Sequence, residues 1–122
     1  MTYRNFLRVV LAFVLSSSAV LTARAAPAPA EKARIESLIS HIENLKDATF
    51  IRNGNDYDAK SAAKFLRGKL QSHEKEILTA SDFISKVASV SGTTGKPYVI
   101  RFKDGRQVKC GEYLAAELKK LK

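Results

Sequence analysis

Cys110, His41 and His73 are the only thiol and the only imidazoles in the chain, and they are the side chains best suited to chemistry. A nucleophilic mechanism needs a nucleophile, a base and an orienting group. No spacing in the sequence brings Cys110 to either histidine, so no catalytic residues are assigned. Nothing is arranged as HxxxH or CxxC, so no metal-ligand set is visible, and no cofactor is expected. His73 falls on the apolar phase of a helix, where a packed, hydrogen-bonded histidine is the ordinary reading. Asn53, Asn55, Asp56 and Asp58 are rich in oxygen. Their glycine is misplaced for an EF-hand loop, however, and no glutamate closes it. Ser91-Gly92-Thr93-Thr94-Gly95-Lys96 faintly resembles a phosphate loop. Val90 stands where its first glycine should be, and the segment follows a helix and precedes Pro97 and a strand, the reverse of a phosphate loop. It reads as a flexible connector, with a weak anion site at Gly95 and Lys96 as the alternative. Cys110 sits at a strand-to-helix junction, where a lowered pKa would make a reactive thiol. The commoner fate of a lone cysteine is a small buried hydrophobe.

Arg52, Asn53, Asn55, Asp56 and Tyr57 place an arginine, an aromatic ring and several hydrogen-bonding groups on one tight turn. Arginine and tyrosine are enriched at interface hot spots. The structural alternative makes Arg52 a strand-edge charge and Tyr57 a core residue. Nucleic-acid binding is not expected. It calls for a basic face with stacking aromatics, and the 8% of aromatic residues fall mostly at expected core positions.

The elements that must position these residues follow from periodicity. Ile35, Leu38, Ile39, Ile42 and Leu45 repeat at helical spacing and predict a helix over about Glu31–Lys46. Thr49–Arg52 reads as a short strand and Asn53-Gly54 as a tight turn. Tyr57 then lies at a short return, and Asp58 caps a second helix with Ala59, Ala62, Ala63, Leu66, Leu70 and Ile77 on one face. Gly68 weakens that helix. Thr79 or Ser81 caps a third, short helix carrying Phe83, Ile84, Val87 and Ala88. Tyr98–Lys103 is a strand, Asp104-Gly105 a second tight turn, and Gln107–Lys109 pairs back. A last helix starts near Gly111 with Tyr113, Leu114, Leu118 and Leu121 inward. The expectation is an α+β domain with a short antiparallel sheet of about three strands and about four helices.

The amino-terminal end gives an address. Arg4 and Arg8 stud a basic start, Phe6, Leu7 and Val9–Leu15 form a short apolar run, and Ala23-Arg24-Ala25 closes the segment, as in a secretory signal peptide. Cleavage after Ala25 leaves an Ala/Pro spacer at 26–30 and a single domain over 31–122. Removing Arg4, Arg8 and Arg24 lowers the net charge from +9 to +6. That sign favours acidic partners, although it also serves solubility. One cysteine cannot form an internal disulfide, so packing alone must hold the core. No second apolar segment could anchor the chain, so a soluble periplasmic monomer with no stable membrane insertion is expected.

Two blocks carry a family resemblance. One is Phe50-Ile51-Arg52-Asn53-Gly54 with Tyr57-Asp58-Ala59, Ala62-Ala63, Leu66 and Lys69. The other is Ala80-Ser81-Asp82-Phe83-Ile84, Ala88-Ser89-Val90-Ser91 and Gly95-Lys96-Pro97-Tyr98-Val99-Ile100. From about Glu31 to Leu118 the chain resembles the YfeK-like family of small bacterial envelope proteins, a domain of unknown function. The resemblance implies a periplasmic location and supplies no activity. Asn53-Gly54, Asp58, Gly95 and Pro97 have structural explanations. Arg52, Lys69 and Lys96 have none, and with Asn53 and Tyr57 they make up the candidate binding surface. The expected function is recognition of an acidic protein or an anionic glycan or lipid of the envelope. The alternatives are an inhibitor of a cell-wall-active enzyme and a thiol-dependent enzyme or redox protein using Cys110.

Overall fold

The computed structural model describes residues 26–121. The signal peptide expected over residues 1–25 lies outside the described residues. Helix α1 spans Pro29–Glu43, starting inside the expected Ala/Pro spacer and stopping short of Lys46. Proline suits a first helical turn, because its missing N–H has no partner there in any case. Leu45 still packs against the core from beyond the helix end.

Strands β1 (Thr49–Arg52), β2 (Asn55–Tyr57), β3 (Val99–Arg101) and β4 (Gln107–Lys109) form one sheet in the order β2-β1-β3-β4, with every pair antiparallel. The sheet therefore has four strands rather than three. Asn55-Asp56-Tyr57 is a full partner of β1, with Tyr57 opposite Phe50. Asn53 (φ 52°) and Gly54 (φ 80°) occupy the left-handed region at both centres of the joining turn, as a two-residue hairpin turn requires. Phe50 and Ile100 are buried while their strand neighbours are half-exposed, so the helices cover one face of the sheet. On the other face Arg101 reaches Asp56 across β1 at 2.9 Å.

Helix α2 spans Ala59–Ser72, and the Asp58 side chain accepts from Ser61 N–H at its start. Ser72 donates its hydroxyl to the Gly68 carbonyl, and the chain leaves the helix there through a 3₁₀ turn at Glu74–Glu76. Ile77, expected on the helical face, is instead buried from an extended segment at 1% exposure. Helix α3 (Ala80–Lys86) begins with a reciprocal capping box between Thr79 and Asp82. Glu31 on α1 also accepts from Ala80 N–H, and that bond is the main reason its carboxyl pKa is lowered. Helix α4 (Cys110–Lys120) follows β4 directly.

Helix α1 sits at the centre, packed against the other three helices, with Leu38, Ile39 and Ile42 at 1% exposure or less. Arg67 on α2 bridges Glu36 and Glu43 on α1 at 2.7 and 3.2 Å. His41 lies 2.7 Å from the Tyr113 hydroxyl and joins α1 to α4. Gly111 is fixed by packing, because a Cβ there would overlap the Ser89 side chain, whose hydroxyl donates to the Ile84 carbonyl at 2.6 Å. Gly111→Ala is therefore expected to lower the unfolding free energy by about 1–3 kcal/mol, the usual cost of overpacking. Ser89→Ala in the same chain should restore part of the loss. Equal urea midpoints for Gly111→Ala and wild type would show that Ser89 yields freely.

Candidate functional site

Strand alternation puts Arg52 on the same face as Phe50, pointing toward the helices. Helix α2, fixed at its start by Asp58, carries Phe65 beneath it. The Arg52 guanidinium carbon lies 4.6 Å from the Phe65 ring centroid. Phe65 meets Tyr98 edge to face, with centroids 5.8 Å apart and planes at 88°. One turn further along α2, Lys69 Nζ lies 4.9 Å from the Tyr98 centroid and donates to both the Tyr98 hydroxyl and the Val90 carbonyl at 2.9 Å. The result is a row of cation, ring, ring and cation. Each cation over a ring contributes about 0.5–2 kcal/mol depending on exposure.

This row borders a groove of about 770 Å³ between α2 and the sheet. Its apolar walls include Phe50, Tyr57, Phe65 and Leu66, and Cys110 lies in its floor. The volume falls within the range of about 300–1,000 Å³ typical of small-molecule sites. Arg52, Lys64 and Lys69 line it, and no aspartate or glutamate does. Among the described residues, Arg34, Arg67 and Arg101 each hold a carboxylate. Arg52 holds none, and its Nε is buried without a hydrogen-bond partner.

The expected site residues divide. Arg52, Tyr57 and Lys69 come together on the groove. Asn53 is used internally: its amide donates to the Ser91 hydroxyl at 3.2 Å, and its side-chain carbonyl accepts from the Thr94 hydroxyl at 2.6 Å. Ser91 is buried, and the loop closes through Ser91 N–H to the Lys96 carbonyl. Residues 91–96 are therefore a pinned loop rather than a flexible connector, with their polar groups spent on one another and on Asn53. Lys96 is exposed and does not line the groove.

Cys110 is 3% exposed, and burial pushes its thiol pKa up to about 12. The lowered pKa considered for a thiol at a helix start is thus reversed, because the surrounding core disfavours the thiolate. His73 is not on the buried face of a helix. It forms the C-cap of α2, has a side chain that is 43% exposed, and lies 3.1 Å from Glu76. Among the described residues, no group of three His, Cys, Asp or Glu side chains is placed to hold a metal ion. Likewise among these residues, no helix is long and apolar enough to cross a membrane.

Phe65, Tyr98 and Gly68 are site residues that periodicity did not single out. The signal for Gly68 was its anomaly. Glycine inside a helix costs about 1 kcal/mol relative to alanine, yet a Cβ at Gly68 would meet nothing within 4 Å.

An α+β domain with a cation-bordered groove does not by itself name an activity, and the sequence comparisons give the family. Residues 29–122 match a family described as a family of unknown function, DUF5329, and the chain belongs to that family. Within it, the chain is similar to the protein named "Uncharacterized protein YfeK" of Salmonella typhimurium (strain LT2). The two are 46% identical over 68 residues, which cover 56% of this chain and 57% of that relative. No solved structure matches the chain at comparable stringency.

Proposed function

We propose that the protein is an exported, periplasmic binding module that takes an anionic envelope ligand in the groove between α2 and the sheet. The observation that carries this reading is Arg52. Its guanidinium is held over Phe65, its Nε is buried and unpartnered, and Lys64 and Lys69 line the same groove with no acidic side chain. The Nε itself lies out of a ligand's reach, so the outer guanidinium nitrogens, which hold no carboxylate, are the donors that would meet a ligand's anionic group. The reading of Cys110 as a catalytic thiol finds no support in a buried side chain of raised pKa. The export signal expected over residues 1–25 and the net positive charge favour an anionic partner outside the cytoplasm.

The test is retention of anionic lipid, acidic glycan and protein fractions of the envelope on immobilised protein. Wild type and Lys96→Glu are expected to retain the same material, and Arg52→Glu to lose it by about tenfold or more, the scale of one charged hydrogen bond. Retention should weaken as salt rises. Equal retention by wild type and Arg52→Glu would overturn the proposal.

A further inference from the structure

Resting on that reading, we propose that the occupant of the groove is a single-chain carboxylate amphiphile, a fatty-acyl anion. Its chain lies along the Gly68 face of α2, and its carboxylate meets Arg52. The walls set this chemistry. They are largely aromatic and aliphatic, and no Asp, Glu, Asn or Gln side chain lines the groove. A sugar would bring many hydroxyls, and the few Ser, Thr, Tyr and His groups set among these apolar walls would satisfy only part of them. An alkyl chain asks for nothing but contact. A volume of about 770 Å³ suits one such ligand rather than a surface patch.

The charged groups on the lining are cations, Arg52, Lys64 and Lys69, beside a few neutral groups such as Ser61, Ser72 and Thr93. Arg52 and Lys69 flank the Phe65–Tyr98 ring pair, so an acidic head can sit beside an apolar surface. Gly68 adds an independent observation. It lies on the groove-lining side of α2, weakens the helix, and has open space where its side chain would be. No packing contact explains the glycine. Gly68 is exposed at the groove's edge, and a larger side chain there would narrow the path of an alkyl chain along α2.

The experiment is calorimetric titration of the protein, purified from cells expressing the full chain, with octanoate, decanoate and dodecanoate below their micellar concentrations. Dodecanol serves as the neutral analogue and butyrate as the short one. Each buried methylene adds about fourfold in affinity, so dodecanoate should bind on the order of 200-fold more tightly than octanoate. Dodecanol should bind about tenfold or more weakly than dodecanoate, and Arg52→Gln should remove that difference. Gly68→Leu should abolish binding while leaving the thermal midpoint unchanged or raised, because leucine is the better helix former. This variant separates a blocked groove from an unfolded one. Wild-type binding by folded Gly68→Leu, or affinity independent of chain length, would overturn the inference. If short anions still bind in an Arg52-dependent way without a chain-length effect, the anionic reading stands and the amphiphile fails. If dodecanol and dodecanoate bind equally well, both fail.

Discussion

Phe83→Ala is expected to lower the unfolding free energy by about 3–5 kcal/mol, the range for removing a buried phenylalanine ring. Phe83 is 0% exposed and is the largest fully buried side chain of the core. It belongs to α3, a seven-residue helix, and helices of this length do not persist in water on their own. The Thr79–Asp82 capping box and the Glu31 contact fix where α3 begins. The buried side chains Ala80, Phe83 and Ile84 hold it in place. Truncating the ring leaves a cavity where α3 joins the core, and no disulfide limits the damage, since the chain has a single cysteine. Domains of this size have only about 5–15 kcal/mol in total, so the loss is a large share of the whole. Urea unfolding followed by circular dichroism should show a much lower midpoint with little change in slope. A loss below about 1 kcal/mol would mean that the core closes over the gap.

Much of the fold was legible because local chemistry and burial agreed. Ile35, Leu38, Ile39 and Ile42 mark α1 by spacing alone, and all four are buried. Asn53-Gly54 and Asp58 perform the turn and the cap that their side chains favour. Strand β2 was harder to read, since Asn55-Asp56-Tyr57 offers one apolar residue and no alternation. Pairing with β1, rather than propensity, makes it a strand. Ile77 shows how a pattern outlasts its element: the 3₁₀ turn carries the chain onward and still returns Ile77 to the core.

The site was legible only in fragments. Arg52, Tyr57 and Lys69 stood out by residue type, but type does not say which way a strand residue points. The inward direction of Arg52 comes from its register with Phe50. Phe65 and Tyr98 come from α2 and from the residue just before β3, and they meet only in the tertiary structure. Lys69 acquires its role only once Tyr98 and the Val90 carbonyl arrive beside it. Asn53 and Lys96 carried equal weight as sequence candidates. The fold spends the first on pinning a loop and leaves the second away from the groove.

Alkali is expected to destabilise the protein through Cys110. The folded thiol is pushed up to about 12 because burial disfavours its thiolate, whereas an unfolded cysteine ionises near 8.5. Above that value the unfolded chain binds fewer protons than the folded one, so stability falls as pH rises. The contribution is fully present below about pH 8.5 and is lost progressively toward pH 12, at up to about 1.4 kcal/mol per pH unit. Tyr113, raised first by burial and then by Glu117, acts in the same direction, so the wild-type slope alone does not isolate the thiol. Cys110→Ala does. It should be less stable than wild type at pH 7, having lost buried volume, yet lose less per pH unit between 9 and 10.5. The two stability curves should converge as pH rises, measured by urea unfolding under reducing conditions. Parallel curves would mean that the thiol is solvated in the folded protein. In that event native Cys110 should also react readily with an alkylating reagent at pH 8, where the buried thiol described here reacts only after unfolding.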